Sequence, residues 1–78
     1  MILKIISAEK VEFEGEVQQV TLPGVVGSFQ VLNDHAAIIA ALAPGTMNWG
    51  EVDGAKEERS IAGGVADVKN NVVSVCIY

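Results

Sequence analysis

The feature that most constrains this chain is an alternation of apolar and polar residues with a period of two, interrupted at short intervals by glycine and asparagine. In an extended strand successive side chains point to opposite faces, so this pattern builds sheets with one face in a core. Val11 and Phe13 alternate with Glu12 and Glu14, and Met47 and Trp49 share a side. Val73, Val75 and Ile77 line one face of a terminal segment, with Val72, Ser74, Cys76 and Tyr78 on the other. Asp53-Gly54 suits a hairpin tip, Asn70-Asn71 a second turn, and Glu57 to Ile61 a polar edge strand between them. Glu14-Gly15-Glu16 reads as a turn. Val17 to Leu22 loses its parity, which a bulge at Gln18-Gln19 restores. The expectation is an all-β fold, a small sandwich or flattened barrel of about ten short strands. Residues 1–78 are expected to form it as a single domain.

One segment dissents. Asp34 to Leu42 is alanine-rich, with Asn33 or Asp34 available as an N-cap and Pro44-Gly45 as a stop, so propensity alone favours a helix. A helix that short is unstable without tertiary packing. The pair Ile38-Ile39 suits a strand with one face toward the core and the other toward a partner. An extended segment is expected.

Composition excludes several functions. Half of the 78 residues are apolar, enough for a packed core. A formal charge of −5 with only five scattered basic residues is unsuited to a nucleic-acid surface. Cys76 is the single cysteine, so no internal disulfide can form; it reads as a small buried hydrophobe of the last strand. Lys4 interrupts the apolar opening, and no run approaches the ~18 apolar residues of a membrane span. A soluble, cytoplasmic chain without direct membrane insertion is expected.

The candidate sites are few. His35 lacks a second histidine or a nearby cysteine for a metal site, and a catalytic base would need a partner and a pocket. An imidazole bonded to loop backbone, or at an interface, is the expected use. Gly24-Val25-Val26-Gly27-Ser28 resembles a phosphate loop only superficially, because it runs into a strand and has no lysine. Gly63-Gly64 suits a bulge or a close backbone approach. Glu9, Glu12, Glu14 and Glu16 read as a solvated face. No catalytic, cofactor-binding or metal-ligating residue is assigned. Lys69, just before the Asn70-Asn71 turn, leaves an alternative: a lipoyl- or biotinyl-type carrier domain with Lys69 as the attachment site. There Val68 separates Asp67 from the lysine, a departure from the pattern of those carriers.

The run from Leu22 to Ala36 holds Pro23-Gly24-Val25-Val26-Gly27 and a hydrophobic strand ending in His35-Ala36. With Leu42-Ala43-Pro44-Gly45 and Ala62-Gly63-Gly64-Val65, it resembles the epsilon subunit of F-type ATP synthases over nearly the whole chain. The resemblance implies a non-catalytic central-stalk subunit that links the gamma subunit to the membrane c-ring. Ion-driven rotation, of protons or sodium, is thereby coupled to ATP synthesis. It also implies a peripheral position on the cytoplasmic face of the cell membrane. Relatives commonly continue into a two-helix C-terminal domain, whereas this chain stops at Tyr78; its initial methionine and lack of any tag favour a short form. Many relatives carry acidic residues in the glycine-rich loop, where Val26 and Ser28 stand here. The c-ring-facing loop is therefore expected to be Gly24, Val25, Val26, Gly27, Ser28 and Phe29, docking by apolar burial. His35, Ile38 and Leu42 are assigned interface or structural roles, with Ile38 and Leu42 expected on the outer face toward gamma.

Overall fold

A computed structural model describes all residues from Met1 to Tyr78. The chain forms β1 (Ile2–Ile6), β2 (Val11–Gly24), β3 (Gly27–Leu32), β4 (Ile38–Leu42), β5 (Gly45–Glu51), β6 (Lys56–Ile61), β7 (Gly64–Lys69) and β8 (Val72–Ile77), with no helix. The all-β expectation holds, including an extended 38–42. The strand number is eight, not about ten. The clearest correction is at Glu14-Gly15-Glu16, which lies inside β2 and pairs with β1, Leu3 opposite Gly15. A Cβ at Gly15 would lie 3.1 Å from the Phe13 ring, so the ring occupies the space where a side chain would stand. Aromatic cover of this kind lets a glycine remain in a strand.

Strand β2 organises the molecule. Its first half pairs antiparallel with β1, and its second half pairs with β3 and β5. The change of partner coincides with a register shift between Val17 and Gln19, the bulge expected at Gln18-Gln19. Bulges bend a strand and increase its twist, and Gln18 Nε2 also donates to the Val52 carbonyl at 3.1 Å. Strand β1 lies between β2 and a parallel neighbour, β8. The path β1–β8–β7–β4–β2 then returns to β1, closing a flattened barrel, and β3 and the β5–β6 hairpin extend from β2. Closure rests on a thin seam. Gly24 opposite Leu42 is the only register pair between β2 and β4. Two flanking bonds reinforce it, Val25 N–H to Ala41 O at 3.0 Å and Ala43 N–H to Pro23 O at 2.8 Å.

The inward residues of this barrel, among them Leu3, Ile5, Val20, Leu22, Val73 and Val75, form one core with Met47 and Trp49 of β5. Phe13 packs on its edge, 5.0 Å from the Trp49 ring centroid. The turns follow their sequences. Asn70 and Asn71 have φ of 53° and 62°, the double positive-φ turn that joins β7 and β8. Glu51 N–H donates to Ala55 O across the tip that contains Gly54. Gly63-Gly64 is the close approach expected: a Cβ at Gly64 would collide with the Cys76 carbonyl oxygen. Cys76, by contrast, is exposed. Its strand alternates strictly, and Val75 and Ile77 take the inward positions.

Candidate functional site

The glycine turn stands at the barrel's seam. Strand β2 arrives with Leu22 buried, turns over Val25 and Val26, and leaves as β3 with Gly24 opposite Gly27. Gly27 has φ of 145°, a conformation that suits glycine. The turn holds its valines outward: Val25 is 61% exposed and Val26 wholly so. Phe29 differs from its neighbours. It is half-buried against the core, and its ring would lie 3.0 Å from a Cβ at Gly24. It supports the turn from below, where sequence alone places it in the docking surface.

Strand β4 forms the other wall. Counted back from buried Leu42, Ala40 and Ile38 turn inward, which leaves Ile39 and Ala41 facing solvent. Leu42 thus belongs to the core and Ile38 packs against it, so neither stands on the outer face where sequence places it. Ile39, 76% exposed, takes that position instead. The parity of the strand is its only sequence signal, and the adjacent isoleucines conceal it. Gly24, Val25, Val26, Gly27 and Phe29 face Ile39, Ala40 and Ala41 across a groove of about 250 Å³. None of these residues is ionisable. The groove can bury apolar groups and has no acid, base or nucleophile.

The remaining candidates lie elsewhere. His35 sits in the β3–β4 loop, where its Nδ1–H donates to the Ala36 carbonyl at 2.7 Å, the backbone bond expected of it. Asp34 has φ of 62° and its N–H donates to Asn71 Oδ1, which ties the loop to the β7–β8 turn. Lys69 ends β7, opposite Val72 and outside the turn that Asn70 and Asn71 make. Of the glutamates read as a solvated face, Glu12 is engaged. Ser7 Oγ–H donates to its Oε2 at 2.9 Å, and Arg59 lies 3.2 Å from its Oε1. The serine hydroxyl, then the arginine and Lys10 charges, hold the Glu12 carboxyl below its ordinary range against a partial desolvation. No three His, Cys, Asp or Glu side chains converge as metal ligands would.

A second apolar surface follows from register. Ala41 pairs with Val65, Val65 with Cys76, Cys76 with Ile6, and Ile6 with Val11. Paired residues share a face, so these side chains form one row across the outside of the barrel. Val11 is 54% and Val65 39% exposed. The adjacent row reads Ile39, Asp67, Ser74, Lys4 and Glu14, a polar border beginning at the groove.

Comparison with known proteins identifies the class of this closed sandwich and its exposed apolar strips. Residues 1–77 match the family described as ATP synthase, Delta/Epsilon chain, beta-sandwich domain. The chain belongs to that family. It is 38% identical over 71 residues to the ATP synthase epsilon chain of Bordetella petrii, covering 91% of this chain and 50% of that one. With the epsilon chain of Nitrobacter winogradskyi the identity is 39%, covering 91% and 52%. The chain therefore spans about half the length of these relatives. A chain in the Euglena gracilis mitochondrial ATP synthase structure (OSCP/F1/c-ring) superposes with a TM-score of 0.93 at 28% identity, covering 99% of this chain and 49% of that one. A chain of the Tetrahymena thermophila central stalk and c-ring shares the fold, with a TM-score of 0.80 at 20% identity and coverage of 99% and 62%. No helix here is long and apolar enough to cross a membrane.

Proposed function

We propose that this chain is a non-catalytic adapter of the ATP synthase central stalk, linking the gamma subunit to the c-ring so that ion-driven rotation is coupled to ATP synthesis. The observation that supports it is the family match across the sandwich, in a molecule whose exposed apolar surfaces lie on a closed barrel. An element that transmits torque must not deform. A barrel closed by hydrogen bonds, with a continuous core, answers that demand. In this reading the seam loop Gly24 to Phe29 faces the c-ring. The row from Ala41 to Val11 faces gamma, with an apolar centre and the polar border that specific interfaces carry. Ile39, at the junction of the two surfaces, takes the part that sequence assigns to Ile38 and Leu42. His35 holds the loop beside them. The protein works peripherally, at the cytoplasmic face of the membrane.

Co-expression with the gamma subunit of the same synthase, followed by size exclusion, tests the adapter role. One complex burying at least ~1,000 Å² is expected. Separate elution at micromolar concentration refutes the role. Val65→Asp should disrupt the complex, because it places a charge in the apolar row, while a monomeric fold persists. Mass measurement of the intact chain tests the alternative, since a lipoyl or biotinyl group on Lys69 would add to it.

A further inference from the structure

We infer that two copies of this chain associate edge to edge, β3 pairing antiparallel with β3 of the second copy about a two-fold axis at Gln30. This self-association is independent of the adapter reading. Two strands stand at a sheet margin: β6, paired only with β5, and β3, paired only with β2. The two margins are built differently. Strand β6 opens with Lys56, Glu57, Glu58 and Arg59 in succession, a charged edge that discourages a further strand. Strand β3 reads Gly-Ser-Phe-Gln-Val-Leu, with no charge, proline or bulge.

The phase of the β2–β3 hydrogen bonds sets what this edge offers. Pro23 stands opposite Ser28 but has no N–H, and its carbonyl accepts from Ala43 N–H, just beyond β4. Pro23 and Ser28 are therefore a pair without mutual hydrogen bonds, and alternation makes Thr21–Gln30 and Gln19–Leu32 the same. On β3, Gly27, Phe29 and Val31 bond to β2, while the N–H and C=O groups of Ser28, Gln30 and Leu32 point away from it. Within the chain only the Leu32 carbonyl of this outward set is used, accepting from His35 N–H at 3.2 Å. A carbonyl oxygen has a second lone pair, so the whole set can receive a strand. Another extended chain satisfies such groups.

The edge is its own complement. With Gln30 opposite Gln30 of the second copy, Ser28 falls opposite Leu32, and each facing pair exchanges both N–H···O bonds. On the inner face half-buried Phe29 meets Val31 of the second copy, an aromatic and β-branched pair. On the outer face Gln30, Thr21 and Asn48 share one uncharged row, which the pairing continues into the same row of the second copy. Gln30 Nε2 donates to Gln19 Oε1 at 3.4 Å, which leaves Gln30 Oε1 for the facing amide. Residues 17–33 hold no charge, and Asp34 lies beyond the end of β3. The two Asp34 side chains therefore stand at opposite ends of the pair and do not repel. A charged partner strand would find no counter-charge along this edge, whereas an uncharged strand such as β3 itself fits it.

Sedimentation equilibrium of the 78-residue chain tests the pairing. One strand pair buries less than the ~1,000 Å² of a stable interface, so the mass should rise from one chain to two between about 10 µM and about 1 mM. Salt should change this little, because no ion pair forms. As concentration rises, the amide hydrogens of Ser28, Gln30 and Leu32 should exchange more slowly. Those of Gly27, Phe29 and Val31 are already protected in the single chain. Gln30→Lys puts a charge in the pair, and Gln30→Pro removes an N–H that β2 does not use. Each should raise the dimer dissociation constant about tenfold or more, and Gln30→Thr should retain the dimer. A one-chain mass at about 1 mM overturns the pairing. So does a dimer that persists in Gln30→Lys, or one that forms without slower exchange at Ser28, Gln30 and Leu32.

Discussion

Two glycine steps in this chain look alike in sequence and act in opposite ways. Gly63-Gly64 is buried in the β6–β7 connection, where the backbone of β8 passes so close that a side chain at position 64 meets the Cys76 carbonyl. At Gly24 and Gly27 the chain reverses at the barrel's seam; a Cβ at Gly24 would lie 2.7 Å from the Gly27 carbonyl oxygen, whereas one at Gly27 meets nothing within 4 Å. The first step is closed by its neighbours. The second is closed at Gly24 but open at Gly27, is supported from below by Phe29, and lifts Val25 and Val26 into solvent. Composition does not separate them; what lies across the backbone does. A glycine that brings strands together serves stability, and one that turns apolar side chains outward has a use only where something covers them.

The largest effect should come from the closed step. Gly64→Ala must push β8 away or shift its own backbone, whose φ is 158°. A loss of about 3 kcal/mol or more is expected, in the range of strained or overpacked core changes, read as a lower urea midpoint. A midpoint like that of the wild type would show that this close approach yields easily. Gly27→Ala should cost less, about 1–2 kcal/mol, because only the backbone conformation is strained and no atom is struck. If it equalled Gly64→Ala, the contrast between open and closed steps would fail.

Smaller still is the stability effect expected of Val26→Asp. With the side chain wholly exposed, the unfolding midpoint should stay within about 0.5 kcal/mol of the wild type, even as ring binding is lost. A large drop would mean that the valine supports the fold. The last effect lies away from both steps. Glu12 is held below its ordinary value of 4.5 by Ser7 and Arg59. The folded state therefore binds this proton less readily than the unfolded one. The resulting contribution is present at neutral pH and is lost as pH falls below 4.5 through the folded value. Glu12→Gln should flatten the acid side of the stability curve slightly, measured by urea unfolding between about pH 2 and 7.

Local chemistry alone specifies much of this molecule. The alternation in β8 puts Val73, Val75 and Ile77 on one face, and Asn70-Asn71 and Asp53-Gly54 tolerate the backbone of the turns they make. The bulge at Gln18 follows from a broken parity. The uncharged loop is visible before any folding, because charge is a property of the residues themselves. Period, however, gives alternation without direction when both parities carry apolar side chains. In β4 the choice between Ile38 and Ile39 depends on Leu42 meeting the core and on Gly64 pairing opposite it. Gly15 reads as a turn until the Phe13 ring covers it and β1 pairs beside it. Cys76 faces out because the parallel pairing of β1 with β8 places Val73 and Val75 beside Leu3 and Ile5 in the core. The barrel closes between residues far apart in the chain, at the β1–β8 pair and the thin β2–β4 seam. Such contacts form only when distant segments meet. The local sequence sets which faces are available, and tertiary packing decides which of them are buried.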